Sequence, residues 1–129
     1  MRRIRNYIYY WLPPFFWMVC IFYMSSQKKV NITQQVVVEF MTFKTLHMVE
    51  YALLFFLFYR AFHSLSRLKQ KGVLLCAILS SLIYSATDEF HQLFIPTRQG
   101  RLRDVLIDLA GMLIMYTVIR NVRYLKKLL

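Results

Sequence analysis

The chain has six acidic residues, and their spacing is where chemistry could begin. Asp88 and Glu89 are adjacent, with His91 and Gln92 close behind. Asp104 and Asp108 are four apart, and Glu50 follows His47 by three and precedes Tyr51. Residues three or four apart share a helix face, so His47 groups with Glu50 and Tyr51, Asp88 with His91 and Gln92, and Asp104 with Asp108 and Gly111. A histidine or carboxylate so placed can serve as general base, and His47 and Glu50 are the candidates. Carboxylate oxygens can hold a divalent cation, for which Asp88, Glu89 and Asp104 are the candidate ligands. Arg98 lies in the turn Pro96-Thr97-Arg98-Gln99-Gly100, and an arginine aimed back over these groups can hold a carboxylate or phosphate at two points. Ser25, Ser26 and Gln27 add neutral hydrogen-bonding groups.

Each set also has a simpler explanation. Asp88 and Glu89 could end a helix at the headgroup level of a membrane. Asp104 could sit on a helix N-terminus, satisfied by Arg101 or Arg103. His47 could be interfacial, and Gln92 and the serine pair could merely bridge helices. The string Asp88-Glu89-Phe90-His91 resembles a helicase box, but no phosphate-binding Gly-rich loop accompanies it.

The elements that must position these residues are transmembrane helices. Hydrophobic residues make up 58% of 129, mean hydropathy is +0.42, and there are only three glycines and three prolines. A soluble fold of this size could not hide so much apolar surface. The net charge of +11 suggests nucleic acid at first sight, but the basic residues lie between long apolar runs, which excludes a nucleic-acid binding stripe. Cys20 and Cys76 each lie within an apolar run without a partner at metal-ligand spacing.

Four spans are expected, within a single domain over residues 1–129. The first covers residues 6–27, free of charge, with Pro13 and Pro14 either kinking it or marking its regular start. Its basic start resembles a signal peptide, yet the bulky Phe22-Tyr23-Met24 offers no cleavage site, so it reads as a retained anchor. The others cover residues 45–62, 72–87 with helical continuation to about 95, and 102–119. Residues 30–43, around Glu39, read as an amphipathic outer loop, with a surface helix favoured. The Lys and Arg excess places both termini in the cytoplasm. Every acidic residue then falls in the outer half, and the inner half is basic only. Ionisable groups at membrane depth normally face a bundle interior or wet cavity, so these faces are expected to form one outward polar pocket.

The ordered set Ser25-Ser26-Gln27, His47-x-x-Glu50-Tyr51, Asp88-Glu89-x-His91-Gln92, Pro96-x-Arg98-x-Gly100 and Asp104-x-x-x-Asp108-x-x-Gly111 resembles the VanZ-like family of bacterial membrane proteins. Members often carry a second small residue after the last glycine, where this chain has Met115, which puts in doubt a close crossing of the fourth span but not the polar cluster. The resemblance implies a role in the cell envelope, with resistance to teicoplanin and related lipophilic glycopeptides. Three functions are compatible with the residues. One is modification or protection of an outer-leaflet component, a lipid-linked cell-wall precursor or the glycopeptide itself being the partner. Another is an intramembrane hydrolase or transferase acting on a lipid-linked phosphate. The last is a non-catalytic module binding membrane lipid or a partner. A proton-coupled transporter fits poorly, because no ionisable path continues through the inner half.

Overall fold

In a computed structural model of the chain, residues 2–27, 36–65, 68–96, 98 and 100–129 are described, the side chains of residues 2–4, 36–40 and 126 excepted. Five helices occur among them: α1 (Arg2–Ser26), α2 (Val36–His63), α3 (Gln70–Gln92), α4 (Leu102–Asn121) and the short α5 (Arg123–Lys127). The segments Arg5–Ser26, Met41–His63 and Gln70–Gln92 are long and apolar enough to cross a membrane. The 20 residues of α4 carry Arg103, Asp104 and Asp108 in their first two turns, so it has the length of a span with less apolarity. The chain is an all-helical membrane protein.

Two boundaries differ from the sequence-based expectation. Pro13 and Pro14 lie inside α1, which runs on through them. In an apolar medium, unwinding would strip more backbone groups of partners than two prolines remove, so the helix persists. Residues 36–43 form the first two turns of α2 and are continuous with the second span. Their run of Val36-Val37-Val38 and Phe40 simply extends the apolar span behind Thr45. Residues 30–35 of the expected outer loop lie outside the described residues, as do Lys28, Lys29 and Arg67.

Helix α2 is central. It packs on α1, α3 and above all α4, and α3 also touches α1 and α4, whereas α1 and α4 make no contact among the described residues. Two triangles of helices therefore share the α2–α3 edge. The core along that edge is Tyr51, Leu54, Phe55, Phe58 and Tyr59 of α2 with Val73 and Ala77 of α3, joined by Ile21 of α1 and by Met112 and Ile119 of α4. Hydrogen bonds to main-chain carbonyls lock α1 in place: Trp17 Nε1 donates to Glu50 O at 3.0 Å, and Tyr84 Oη donates to Met18 O at 2.5 Å.

Span four crosses α2 closely, which settles the doubt that Met115 raised. A Cβ placed on Gly111 would meet Met48 O at 2.5 Å and Met48 Cγ at 2.8 Å, so only glycine permits this α2–α4 contact. A single small residue suffices, because Met115 is flexible and packs beside the core instead of between the backbones.

Burial is inverted relative to a soluble protein. Asp88, Glu89, Gln92, Asp104 and Asp108 are buried, while Ile83, Phe90, Leu102 and Leu106 on the same helices, and Leu93 and Phe94 just after α3, are exposed. In water this pattern would cost both polar desolvation and apolar hydration. In lipid both costs vanish, provided the polar groups meet each other.

Candidate functional site

The polar residues gather at the end of the bundle where α1 and α3 finish and α2 and α4 start. Four contributions meet there. Helix α2 supplies Lys44, His47, Glu50 and Tyr51, and α3 supplies Ser85, Asp88, Glu89 and Gln92. Helix α4 supplies Asp104 and Asp108, and the turn before it supplies Arg98 and Arg101.

At the centre, Asp108 is fully buried and its Oδ2 accepts a hydrogen bond from Ser85 Oγ at 2.6 Å. Asp88 Oδ2 accepts from Gln92 Nε2 at 2.9 Å, one turn along the same helix. Glu89 Oε2 accepts the Arg101 backbone N–H at 2.8 Å. That last bond depends on Gly100: a Cβ there would overlap the Glu89 carbonyl, so only glycine lets the turn lie against the end of α3. The Pro96-to-Gly100 motif thus acts through backbone approach as well as through its arginine.

Asp104 is paired differently from the others. Lys44 Nζ forms an ion pair with its Oδ2, and Arg103 Nε lies 3.8 Å from Oδ1. Arg103 therefore is a partner of Asp104, while the main chain of Arg101 serves Glu89. The negative charge of Asp104 therefore already faces an ammonium.

Several buried atoms have no hydrogen-bond partner among the described residues: Asp88 Oδ1, Asp104 Oδ1, Asp108 Oδ1, His47 Nδ1 and the hydroxyls of Ser81 and Tyr51. The Tyr51 hydroxyl lies among Asp88, Asp108 and Tyr84, and its ring stacks on that of His47. Glu50 is half-buried, facing Asp88 and Arg98. So many unsatisfied groups in one place are costly, each by about 1–3 kcal/mol, which marks the cluster as incomplete in itself.

Arg98 occupies a less direct position than a hand laid over the carboxylates. Its Nε donates to Gln27 O at 2.8 Å and its Nη2 to Met24 O at 2.9 Å, so the guanidinium caps the open carbonyls that end α1. Burial lowers its pKa, opposed by the charges of Asp88, Glu50 and Glu89, and it remains a cation. It thereby fixes α1 to the turn and places positive charge beside the acids.

The remaining expected residues sit on the α1 flank. Ser25 is buried, and its Oγ donates to Phe22 O at 3.1 Å. Ser26 Oγ donates to the same carbonyl at 2.7 Å and lies 3.1 Å from His91 Nε2, while the His91 ring packs on Phe22. These contacts join α1 to α3 beside the acidic cluster. Gln27 is exposed and bonds back to Tyr23 O, apart from it.

Ser85 and Lys44 belong to this network, though the motifs did not mark them. The signal was present for Ser85: with Ser81, Asp88 and Gln92 it follows i, i+4, i+7, i+11 spacing, one buried stripe of α3. Lys44 carried no such mark, since its partner is 60 residues away.

A family model described as VanZ/LLP1 matches residues 7–124. No curated protein and no solved structure matches the chain. The match covers nearly the whole chain, including every residue of the polar end, and the helical membrane architecture agrees with it: this chain belongs to the VanZ/LLP1 family.

Proposed function

We propose that this VanZ-family membrane protein is an intramembrane hydrolase or transferase acting on a lipid-linked phosphate at the outer leaflet of the bacterial cell membrane, with both termini in the cytoplasm. The observation that carries this reading is the cluster of buried Asp88, Glu89 and Asp108 with half-buried His47 and Glu50, with Arg98 beside it and several oxygens unpartnered. An amphiphile can bring its headgroup to such a cluster while its chains stay among the exposed Phe90, Phe94, Leu102 and Leu106. His47 or Glu50 takes the proton of the attacking water or acceptor hydroxyl. That oxygen bonds to phosphorus, the ester P–O bond breaks, and the proton passes to the departing oxygen. The positive charge of Arg98 favours binding of the phosphate.

A lipid-linked cell-wall precursor is the substrate class that connects this chemistry with the envelope. Altering it would lower susceptibility to teicoplanin and other lipophilic glycopeptides. The test is purified protein in lipid nanodiscs with polyprenyl or glycerolipid phosphates. Release or transfer of phosphate is expected, and no turnover by protein of intact helicity would sink the proposal. Deletion of the gene is expected to change teicoplanin susceptibility more than vancomycin susceptibility; no change in either removes the resistance role.

A second reading, a non-catalytic module that binds lipid or a partner, is favoured by the bonds that join separate elements. Lys44–Asp104, Ser85–Asp108 and Arg101–Glu89 each do so. Alanine replacement separates the two. Loss of activity at normal abundance supports a site, and loss of the protein itself supports a structural network.

A further inference from the structure

One ring nitrogen of His47, one oxygen of Glu89 and one of Asp108 lie within 4.8 Å of one another. They come from α2, α3 and α4, the three helices that meet at the centre of the polar end. Metal-bound ligand atoms at about 2.1 Å from the ion stand roughly 3.4 Å apart in tetrahedral geometry, so side-chain rotation of modest size closes the set.

A second observation points to a ligand. Asp108 is 0% exposed, yet its Oδ1 has no hydrogen-bond partner among the described residues, and neither has His47 Nδ1. The other oxygen of Asp108 is held by Ser85, and one oxygen of Glu89 is held by the Arg101 N–H. Both carboxylates are thus oriented by an outer partner, and Asp108 keeps one oxygen for something else, which is how metal ligands are normally supported. The charge balance agrees. The side-chain ion pairs at this end go to Asp104, and no Lys or Arg pairs with Glu89 or Asp108 among the described residues. Two buried carboxylates without a directly paired cation are expensive, and a dication at their meeting point offsets that cost.

We propose that His47, Glu89 and Asp108 bind a divalent transition-metal ion, Zn2+ or Mn2+. A nitrogen donor with two carboxylates suits these ions better than Ca2+ or Mg2+, which take oxygen ligands. Ser85 is a positioning residue for Asp108. Asp104, already paired with Lys44, is not a ligand. The binding site stands on geometry alone; with His47 as a ligand the general base is Glu50, and a role for the ion in activating water or polarising a phosphoryl oxygen rests on the proposed lipid-phosphate function.

The test uses full-length protein in nanodiscs, stripped with chelator and titrated with Zn2+, Mn2+ and, as a spectroscopic probe, Co2+. The expected results are one equivalent of bound metal, a rise in Tm on adding it, and a Co2+ absorption band in the visible. His47→Ala and Asp108→Asn abolish these signals, Ser85→Ala weakens binding by about tenfold, and Asp104→Asn retains it. Stripped wild-type protein that stays helical and takes up no metal overturns the proposal, and so do His47→Ala and Asp108→Asn proteins that bind like wild type. The two readings of the site fail separately. Metal binding without phosphate turnover leaves the ion and removes the enzyme, and turnover insensitive to chelation by metal-free protein does the reverse.

Discussion

The two ends of the bundle handle charge in opposite ways. At the polar end, five of the acids lie beneath the apolar flanks of α3 and α4, either buried or half-buried, and the groups that meet them are drawn from four segments. At the other end, cations dominate and stay near the surface. Arg60 lies over the rings of Tyr9 and Tyr10 at 4.5 and 4.8 Å, and its Nε donates to Leu128 O. Arg120 is exposed and rests over Tyr116. Aromatic rings and snorkelling cations of this kind anchor a helix end and tolerate substitution. A carboxylate enclosed among other carboxylates does not. Burial distinguishes a site from an anchor here, since both ends are rich in charge.

Four predictions would break or sharpen this contrast. Glu50→Gln should lower phosphate turnover by about 10²–10⁴-fold, the usual range for losing general-base help. Arg120→Ala, at the other end, should leave it unchanged; equal effects from both ends would erase the distinction. Next comes Lys44→Met, which leaves Asp104 buried without its cation and should cost about 3–5 kcal/mol of stability. The double variant Lys44→Met/Asp104→Leu should restore most of that loss in a thermal or denaturant melt. If the single variant melts like wild type, the pair carries no stability and the polar end is less enclosed than its burial implies.

The glycines give a smaller contrast. Gly111→Ala drives a methyl group into the Met48 carbonyl and should destabilise the α2–α4 contact by about 1–3 kcal/mol. Gly72→Ala near the basic end meets only Leu68 Cδ2 at 3.8 Å, and should stabilise α3 by roughly 0.5–1 kcal/mol. Melting temperatures of the two variants should therefore move in opposite directions. Smallest of all, Arg60→Ala should cost under about 1 kcal/mol, detected as faster hydrogen exchange around residues 125–129 with turnover intact.

Much of the architecture was legible before any coordinates. Apolar runs locate the helices to within a few residues, the start of α2 excepted, because a bilayer permits little but helix across its width. The carboxylates were legible as a group for the same reason: an acid in an apolar run must face inward or be lost. The errors have a common origin. Pro13 and Pro14 suggested a boundary by their local preference, and the apolar medium overrode it. Met115 put a close crossing in doubt, and a single glycine made it close.

The sequence by itself determined that this is a helical membrane protein with its acids at one end, since hydropathy and helical period depend only on residue order. Tertiary structure alone decided how those acids are divided. Asp104 goes to Lys44, Asp108 to Ser85 and Glu89 to the main chain of Arg101, while His47 turns toward Glu89 and Asp108. Those partners come from distant parts of the chain and meet only when helices pack. Their choice follows from distance and enclosure, which no local spacing encodes.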